Sequence, residues 1–575
     1  MNLHHEIVSL LDPNFSSAVW MLIIVVALLL VVTYMRTWYK YHHTDRFELP
    51  EDTASLEVTE LPPLYPSVIP FLGSAISFAW DNAKFLRRAT SYAGKATVAR
   101  VAMVPGFQIY LFQDRETIKR LFKHPAVGSP VPVYTFAIQR FFGMPKRTVE
   151  VYRADNSGSG LKPNPDFTLP ADARPFYVTH KGLLQGLTGP GLGPNTRRYT
   201  EAFLKYLQTY GNAKILSPSS SKGEWVYYID DLWKVDAGIP WFSRRIPRFL
   251  VPEPYRARER MIQGLKDWYE YAREHFDESN IDEDGDGDPV WGSSLSRHRQ
   301  KTFPKVREHD DRAIASLDVG HSWGSSSNVV ATTFMAAHHI LSDQALLSRV
   351  RTSLAKTLGT TNISASPKLV TDLLDPKILY TDALLCSIYA EILRLHGMAH
   401  FLVSAPERTD LQIGRWLFPH GSIGLLSSGI AHMDASFWNT RDGQHPVNEF
   451  WPDRFLVDPR DPKSGPVNPA CREIPYSRPQ GHQQAVVDDD EPYFCMDGTE
   501  GAWFPYGGGG GICLGRFLAK NAILASLAYL MMEFDIEPQV KSMAVNPWRY
   551  GLGVNQPKYP TPFKIRKRQV LDVQG

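Results

Sequence analysis

Residues 506–516 read YGGGGGICLGR, and an apolar run that is compatible with a helix follows them as far as Phe534. Five consecutive glycines carry no Cβ atoms, so this backbone can lie close against a large planar group. Cys513 stands where the helix is expected to begin, and the free N–H groups and positive dipole end of a helix favour a thiolate. The segment therefore predicts a flat ligand that rests on a cysteine sulfur.

A thiolate beneath a planar macrocycle is the ligation of haem-thiolate proteins, in which sulfur donates electron density to iron and favours cleavage of an O–O bond. Two other interpretations exist, because glycine runs also form linkers or phosphate loops and a lone cysteine is often a small buried apolar residue. A phosphate loop places Lys and then Ser or Thr after its last glycine, whereas Ile512 and Cys513 stand there in this chain. We therefore predict that Cys513 is the axial ligand of a haem b iron.

The overall composition excludes several classes of protein. The chain has 575 residues, of which 43% are hydrophobic and 12% aromatic, and these values fit a globular protein and argue against disorder. Its 62 basic and 60 acidic residues give a formal charge of +2, so no nucleic-acid partner is expected. The four cysteines show no CxxC spacing, so we expect neither a zinc site nor a disulfide framework.

One N-terminal segment predicts attachment to a membrane. Residues 18–35 read AVWMLIIVVALLLVVTYM, an uncharged stretch that is just long enough to cross a bilayer as a helix. Arg36, Lys40 and Arg46 follow it, while residues 1–17 contain no Lys or Arg, so the positive-inside rule places residues 1–17 in the lumen and the remainder in the cytosol. A cleaved signal peptide is the alternative, but a basic N-terminal region and a clear cleavage site are lacking. We expect a single-pass signal anchor in the endoplasmic reticulum membrane.

The rest of the chain is predicted to form one linker and one domain. Residues 61–73 contain four prolines and favour extended, semi-rigid backbone, so residues 36–75 are expected to be a basic and then proline-rich linker. No second linker of this kind and no internal repeat follows. Residues 76–575 are therefore predicted to form a single cytosolic catalytic domain.

Helices are expected to dominate this domain. Small and apolar residues over 310–341 predict one long buried helix, and residues 378–395 predict a second. Between 411 and 426 the residues alternate around two glycines and a proline, which indicates short strands. The predicted fold class is mainly α with a minor β subdomain.

An acidic segment, DEDGDGD at 282–288, matches the first half of an EF-hand calcium loop. The twelfth position of such a loop should be a glutamate but is Ser293 here, and Pro289 interrupts the segment. We therefore expect a solvated acidic surface loop that binds no calcium.

Further motifs give the cysteine segment its context. Glu391 and Arg394 stand three apart on the predicted second helix, so they share one face and can pair. Such pairs are common on helices, and this one gains weight from the segments that follow it. Residues 432–434 read HMD and precede Trp438, residues 450–455 read FWPDRF, and the glycine–cysteine segment comes next. An E-x-x-R helix, a P-x-R-F segment and a glycine-rich cysteine loop in this order resemble the cytochrome P450 family.

The resemblance covers most of the chain and implies the cytochrome P450 fold behind a single transmembrane helix, with Cys513 as the iron ligand. It also implies that Glu391, Arg394 and Arg454 form a structural network near the haem loop, in which buried charges satisfy one another. By their position in the loop, the residues expected to contact the cofactor are Tyr506, Gly507, Gly509, Gly515 and Arg516.

The loop departs from the family pattern F-x-x-G-x-R-x-C-x-G. Counting back from Cys513 puts Tyr506 at the aromatic position and Gly511 where the family has the arginine that binds a haem propionate. Another cation is therefore expected to take that role. The candidates by position in the chain are Arg408, His180 and Lys181.

The long central helix departs as well. Family members carry [A/G]-G-x-[D/E]-T there, an acid and an alcohol that steer protons to bound oxygen, whereas Ser327 and Asn328 occupy these positions here. The pattern that begins at Trp323 resembles the branch of the family containing sterol 7α-hydroxylases and prostacyclin synthase. The resemblance implies that Ser327 and Asn328 position oxygen or water. Four later residues of the helix are interpreted as packing or structural residues: Thr332, Thr333, His338 and His339.

These features predict a haem-thiolate monooxygenase that hydroxylates or otherwise oxidises a lipophilic terpenoid, sterol or polyketide-type molecule with O₂. The expected partners are NADPH–cytochrome P450 reductase as the source of electrons, cytochrome b5, the lipid bilayer and the small-molecule substrate. The inserted stretch 471–502 resembles fungal enzymes of secondary metabolism. Two alternatives stay open: a haem-thiolate isomerase or dehydratase that acts on a peroxide without external electrons, and a non-catalytic haem-binding protein.

Overall fold

The computed structural model describes residues 13–43, 61–66, 73–93, 98–104, 106–158, 170, 173–211, 223–363, 370–478 and 490–568. Most of the predicted lumenal segment 1–17 lies outside these described residues, and so does more than half of the predicted linker 36–75. The central part of the inserted stretch 471–502 also lies outside them.

The described chain divides into two compact units. The smaller unit comprises Met1–Arg120 and Ser404–Leu426, and the larger unit comprises Leu121–Val403 and Ser427–Gly575. All candidate site residues belong to the larger unit, with the exception of Arg408, which was a candidate for a haem propionate. The larger unit therefore contains the cysteine loop and the predicted ion-pair network.

Helices make up most of the described chain. In chain order they are α1 Pro13–His43, α2 Ala75–Trp80, α3 Asn82–Ala93, α4 Arg115–Lys123, α5 Val131–Arg140, α6 Lys146–Ala154, α7 Pro175–Leu187, α8 Leu192–Gly211, α9 Gly223–Ser243, α10 Pro252–His275, α11 Ser294–Thr302, α12 Asp311–Ser342, α13 Gln344–Leu358, α14 Val370–Leu373, α15 Pro376–Leu379, α16 Ala383–His396, α17 Ser428–Ala431 and α18 Arg516–Glu533. The long predicted helix is α12, and the second predicted helix is divided between α15 and α16.

The strands are short. In chain order they are β1 Leu64–Tyr65, β2 Val98–Val104, β3 Phe107–Phe112, β4 Gly397–Ser404, β5 Leu411–Ile413, β6 Trp416–Phe418, β7 Ile423–Ser427, β8 Leu456–Val457, β9 Tyr493–Phe494, β10 Phe534–Pro538, β11 Leu552–Val554 and β12 Phe563–Lys567. The predicted fold class, mainly α with a minor β part, is confirmed.

The smaller unit contains a sheet in which β1 pairs parallel with β2, β2 antiparallel with β3, and β3 parallel with β7. Tyr110 and Phe112 of β3 contact Phe418 of β6 edge to face, with ring centroids 5.3 and 5.2 Å apart. Strands β5 and β6 form a hairpin that turns at Gly414, whose φ of 62° a glycine adopts without strain. These are the short strands predicted between 411 and 426.

Helix α12 is the central element of the larger unit and packs against α9, α10, α16 and α18. The side chain of Asp310 caps its first turn by accepting a hydrogen bond from the N–H of Ala313 at 2.9 Å. Asp343 ends the helix and caps the start of α13. The first part of α12 packs into one apolar core with α9 and α10, and the second part packs into another core with α13, α16 and α18. Helix α12 thus connects both cores.

Helix α1 carries the predicted membrane span over 18–35. Its apolar side chains between positions 19 and 32 are exposed. Within the part of the chain that the structure describes, no helix is both long enough and apolar enough to cross a membrane. The predicted span over 18–35 is therefore not supported by the described residues.

The acidic loop 282–288 differs from its prediction. The side chain of Asp288 has no exposed surface and pairs with Arg297, while that of Asp286 is also buried and pairs with Arg198. The prediction of a solvated loop is wrong for these two acids, because arginines from neighbouring helices neutralise them. No cluster of potential metal ligands occurs among the described residues.

Replacing Asp288 with Asn is expected to lower the free energy of unfolding by about 3–5 kcal/mol, because the change strands the charge of Arg297 in a largely buried site. Asp284→Asn is the matched control, since its pair with Arg197 is exposed on both sides and should contribute at most about 1 kcal/mol. Chemical denaturation measures both values. Calcium and a chelator should leave the wild-type midpoint unchanged, and a midpoint that rises with calcium would contradict this account of the loop.

Candidate functional site

Glu391 of α16 lies at the centre of a buried ion-pair network. Arg394, on the same helix, donates hydrogen bonds to both of its carboxylate oxygens at 2.7 and 2.8 Å. Arg454 donates through Nε to both oxygens at 3.1 Å, and the N–H of Trp451 donates to Oε1 at 3.1 Å. The three charged side chains have no exposed surface. The structure thus brings together the three residues that the sequence analysis placed in one network.

The network carries more positive than negative charge. Burial alone would raise the pKa of Glu391, but the two guanidinium groups lower it, and the net direction is downward. Burial lowers the pKa of Arg454, which shares one carboxylate with Arg394. Because arginine stays protonated in proteins, the cluster keeps one net positive charge. Backbone carbonyls accept the remaining N–H groups: Arg394 donates to that of His432 at 2.7 Å, and Arg454 donates to that of Asn439.

Helix α16 also holds the segment that leads into the cysteine loop. The indole N–H of Trp503 donates to the carbonyl of Ala390 at 3.1 Å. The hydroxyl of Tyr506 lies 2.8 Å from that of Tyr389, so the two share a hydrogen bond. Residues 503–506 are therefore fixed on the same helix that carries the ion-pair network.

His432 links the network to this segment by a second route. Its carbonyl accepts from Arg394, and its Nε2 accepts from the N–H of Phe504 at 3.2 Å. Burial lowers the pKa of His432 to about 3, and the charge of Arg394 acts in the same direction. The ring is neutral at ordinary pH, which leaves Nε2 able to accept a hydrogen bond.

Cys513 closes the loop that begins at Tyr506. The N–H of Cys513 donates to the carbonyl of Tyr506 at 2.9 Å, and Gly509–Gly511 form a single 3₁₀ turn between them. Helix α18 begins at Arg516, so the helix starts three residues later than the sequence analysis expected. Through Tyr506, this closure holds Cys513 in a fixed position relative to α16.

The thiol of Cys513 is free and the residue is exposed overall. Protein atoms around the sulfur nevertheless raise the pKa of the thiol by desolvation, while the N–H groups of Gly515 and Arg516 lower it. The net direction is upward, so the nearby helix start does not by itself provide the expected thiolate. A coordinated metal cation deprotonates a thiol, and ligation of iron would therefore supply the missing stabilisation.

The glycine run is required by the protein itself as well as by any ligand. A Cβ atom on Gly508 would stand 2.4 Å from the ring of Phe122, and one on Gly507 would stand 2.8 Å from the ring of Phe401. A Cβ atom on Gly510, by contrast, would meet no heavy atom within 4 Å. Gly507 and Gly508 are thus explained by close packing, whereas Gly510 borders open space.

A cavity of about 240 Å³ lies beside the glycine run. Parts of three stretches line it, namely 121–134, 400–403 and 508–511, and most of the lining side chains are apolar. Such a lining suits a large hydrophobic ligand. No Lys or Arg is among the described residues that line this cavity.

The candidate cations for the haem propionates lie outside this lining. Residues 180–181 belong to α7, and Arg408 belongs to the smaller unit. The end of α7 comes near the cysteine: a Cβ atom on Gly515 would stand 3.9 Å from both the sulfur of Cys513 and the side chain of Leu187. Helix α7, which carries His180 and Lys181, therefore passes close to the cysteine loop.

The residues around Cys513 fit a haem whose iron is bound by the cysteine sulfur. Cysteine is the iron ligand of haem-thiolate proteins, and Cys513 is free, with open space at Gly510 and a largely apolar cavity beside the loop. Of the other predicted cofactor contacts, Gly509 packs on the Phe122 carbonyl and Arg516 donates to the Cys513 carbonyl at 3.0 Å. These residues shape the loop through contacts within the protein.

Ser327 and Asn328, the two predicted oxygen-positioning residues of α12, have different surroundings. Ser327 is buried and donates to Asp236 of α9 at 2.7 Å. The Oδ1 atom of Asn328 accepts from the N–H of Val554 in β11 at 2.9 Å. The Asn328 amide also packs on Gly553, where a Cβ atom would stand 2.3 Å from Oδ1. Neither residue lines the cavity beside the glycine run.

A buried ion pair, which the sequence patterns do not indicate, lies next to Ser327. Arg549 donates to both carboxylate oxygens of Asp236 at 2.9 and 3.0 Å, and the indole N–H of Trp323 donates to the same carboxylate at 2.8 Å. Asp236 and Arg549 are 313 residues apart, so no local spacing reveals them. Trp323 and Ser327 could have indicated this ion pair, because they are polar residues one turn apart on a buried helix. Buried polar groups of this kind require a hydrogen-bond partner.

The later residues of α12 make contacts that accord with their structural interpretation. Thr332 and Thr333 donate to carbonyls one turn earlier on the same helix, at 2.7 and 2.9 Å. His338 lies 3.0 Å from the Val540 carbonyl, and Nε2 of His339 lies 3.1 Å from that of His396.

Most residues of this candidate site lie within a segment that matches a known protein family. Residues 323–563, which include Trp323, the ion-pair network and the cysteine loop, match the family model of cytochrome P450. The resemblance predicted from the sequence is therefore confirmed. This family uses haem as its cofactor, with electrons that come from NADPH through a reductase.

Individual relatives agree with this assignment. The cytochrome P450 monooxygenase efuG of Hormonema carpetanum is 28% identical over 88% of this chain and 90% of the relative. The cytochrome P450 monooxygenase fsoE of Humicola fuscoatra is 26% identical over 94% of both chains. A cholesterol 7-alpha-monooxygenase of Cricetulus griseus is 20% identical over 88% of this chain and 94% of its own. The relatives confirm an oxidoreductase of the monooxygenase type that is similar both to fungal enzymes and to the sterol hydroxylase branch.

Glu391→Ala is expected to lower the free energy of unfolding by about 3–5 kcal/mol, because it leaves two buried guanidinium groups without their anion. Asp453→Ala is the matched control, since its pair with Arg349 is partly exposed and contributes at most about 1 kcal/mol. Urea denaturation of the full chain compares the two variants. Equal losses in both would contradict a dominant role for Glu391.

Buried neutral histidines predict acid sensitivity. Burial lowers the pKa of both His396 and His432 to about 3 from an ordinary value of 6.5. Between these pKa values the unfolded chain binds more protons than the folded chain. The contribution of the two neutral histidines to the free energy of unfolding is therefore fully present above about pH 6.5 and is lost as the pH falls towards 3. His432→Gln keeps an acceptor for Phe504 and should reduce the slope of stability against pH by about 1.4 kcal/mol per pH unit. An unchanged slope between pH 6 and 4, from denaturation at each pH, would refute this.

Proposed function

We propose that this cytochrome P450 monooxygenase inserts oxygen from O₂ into a lipophilic small molecule of the terpenoid, sterol or polyketide type, in secondary metabolism. The observation that carries the proposal is the conformation of the cysteine loop. The N–H of Cys513 donates a hydrogen bond to the Tyr506 carbonyl, and Tyr506 is hydrogen-bonded to Tyr389 of α16. Full-length similarity to fungal monooxygenases and to a cholesterol 7-alpha-monooxygenase supports a lipophilic substrate. The inserted stretch 471–502 supports the fungal comparison.

On the proximal side, we propose that Cys513 holds the haem iron. Haem, when bound, supplies the activation of dioxygen, and the thiolate supplies electron density for it. The residues of the chain fix the position of the sulfur: Tyr506 accepts from the Cys513 N–H, and its hydroxyl is bonded to Tyr389. The ion-pair network around Glu391 stabilises α16, so the loop that carries the sulfur is hydrogen-bonded to a helix that buried ion pairs hold in place.

On the opposite side, Asn328 is the residue that we propose to donate a hydrogen bond to oxygen, water or substrate. The Oδ1 atom of Asn328 accepts a hydrogen bond from the N–H of Val554, and this bond leaves the Nδ2 group of the amide as its donor. Among the described residues, Nδ2 of Asn328 has no hydrogen-bond partner. The turn of α12 beside it borders open space, because Gly324 and Ser325 are exposed and a Cβ atom on Gly324 would meet nothing within 4 Å. An amide donates without becoming acidic, so it orients a proton rather than supplying one.

We also propose an attachment to the endoplasmic reticulum membrane, with NADPH–cytochrome P450 reductase and cytochrome b5 as electron donors. This part rests on the sequence: residues 18–35 carry no charge, and basic residues follow them. Removal of residues 1–43 should move the protein from the membrane fraction to the supernatant after lysis. A full-length chain that stays in the supernatant would refute the anchor.

Cys513→Ser is expected to abolish the thiolate-type band in the difference spectrum of the reduced carbon monoxide complex, because serine offers no sulfur to iron. Cys471→Ser is the matched control, since Cys471 is also a free, exposed cysteine but lies outside the loop. The control should keep the band. Survival of the band in Cys513→Ser would remove the basis of the proposed function.

Product formation should stop when NADPH or the reductase is left out, because a monooxygenase needs external electrons. The test uses the holoprotein, the reductase and a panel of sterols and terpenoids, and it follows product mass and NADPH consumption. Turnover of a peroxide without NADPH would indicate the isomerase or dehydratase alternative instead. No shift of the Soret band with any compound, and no NADPH consumption, would indicate a non-catalytic haem-binding protein.

A further inference from the structure

The carboxylate of Asp236 is the meeting point of three parts of the chain. From α12 it accepts hydrogen bonds from Trp323 Nε1 at 2.8 Å and from Ser327 Oγ at 2.7 Å. From the segment before β11 it accepts two from Arg549, at 2.9 and 3.0 Å, and from the segment after β11 it accepts one from Gln556, at 3.1 Å. Asp236 and Arg549 are each 3% exposed. We call these five residues the Asp236 node.

Residues of the node lie next to Asn328 on α12 and on both sides of β11, the strand that contacts Asn328. Ser327 is the neighbour of Asn328 on α12, so the hydrogen bond from Ser327 to Asp236 limits rotation of this turn of the helix. Val554, which donates to Asn328 Oδ1, belongs to β11 and lies between Arg549 and Gln556 in the chain. Both the helix that carries the Asn328 amide and the strand that orients it are therefore attached to one carboxylate.

The hydroxyl of Ser327 is used entirely within the node. It donates to Asp236, and it accepts from Arg549 at 3.3 Å and from Gln556 at 3.4 Å. A hydroxyl has one donor and two acceptor sites, so none is left for water or oxygen. Of the two residues predicted to position oxygen, Ser327 is thus part of the Asp236 node, whereas Nδ2 of Asn328 has no hydrogen-bond partner among the described residues.

We infer that Asp236 is a positioning residue that sets the orientation of the Asn328 amide, and that displacement of α9 is transmitted to this amide through the node. The inference rests on the proposed function, in which Asn328 donates to the ligand opposite the cysteine. Rotation of an amide by even a small angle moves its N–H groups away from their acceptor, and hydrogen bonds weaken steeply as their geometry departs from linear. Helix α9 would in this way couple its own position to the chemistry of α12.

A second carboxylate on α9 provides the matched control. Asp231, which is also buried, pairs with Arg260 of α10 at 2.6 Å and with Lys234 at 3.3 Å. Asp231→Asn removes an ion pair from the same helix but touches neither α12 nor β11. A general weakening of α9 should appear in both variants, whereas a change in Asn328 should appear only in Asp236→Asn.

The first measurement is hydrogen–deuterium exchange of the full-length holoprotein without substrate. Asp236→Asn should speed exchange in the peptide that contains β11 by at least about fivefold, the factor that corresponds to loss of a single hydrogen bond. Asp231→Asn should leave this peptide at the wild-type rate. Wild-type exchange in Asp236→Asn, or equal acceleration in both variants, would overturn the inference.

The second measurement is the C–O stretching frequency of the reduced carbon monoxide complex, because carbon monoxide is a defined probe of donors opposite the thiolate. Asp236→Asn and Asn328→Ala should each shift this frequency, and the double variant should show only the shift of Asn328→Ala. Additive shifts would overturn the inference, since Asp236 would then act without Asn328. If Asn328→Ala shifts nothing, the proposed role of Asn328 fails, while the exchange experiment still tests its orientation by Asp236.

Loss of Asp236 leaves Arg549 buried and unpaired, so Asp236→Asn could fail to fold. Two further variants keep the inference testable in that case. Asp236→Asn with Arg549→Gln removes both charges, and Ser327→Ala removes only the link between α12 and the node. Both should speed exchange in β11 and shift the C–O frequency. Wild-type behaviour of Ser327→Ala in both measurements would overturn the inference.

Discussion

The carboxylate of Glu391 is the anion on which the arrangement of the site depends. It pairs with two guanidinium groups in the interior of the larger unit, that of Arg394 on α16 and that of Arg454, which precedes the cysteine loop in the chain. Arg394 reaches the carbonyl of His432, and the ring of His432 receives the N–H of Phe504. The Tyr506 carbonyl then receives the N–H of Cys513 at 2.9 Å, so the position of Cys513 follows from a chain of contacts that begins at Glu391.

A second buried ion pair holds the surroundings of Asn328, the residue that we propose to act opposite the cysteine. There the carboxylate of Asp236 gathers donors from α12 and from both flanks of β11, with Arg549 as its counter-ion. A buried ion pair is weak evidence for stability, since its desolvation offsets much of its attraction. Its geometry is nevertheless restrictive, because every donor must keep its place for the charge to be satisfied. We see this restriction as the reason why Asn328 has a defined orientation.

The parts of the site that sequence predicts are those with local spacing or a recognisable order of motifs. Glu391 and Arg394 are three residues apart, and the cysteine loop has a pattern of its own. The pair of Asp236 and Arg549 escaped prediction because its members are 313 residues apart and no motif marks either one. The glycine run was predicted to serve a ligand, whereas Phe122, distant in sequence, accounts for part of it. Contacts of this kind depend on the fold, and one sequence does not reveal them.

The central claim is that Cys513 places a sulfur on iron at the end of the contacts that begin at Glu391. X-ray absorption at the iron edge of the purified holoprotein tests this claim most directly, because it identifies the atoms bound to the metal. We predict one sulfur neighbour of iron in the wild-type protein and none in Cys513→Ser. An iron shell of nitrogen and oxygen alone in the wild type, or a sulfur that persists in the variant, would contradict the account.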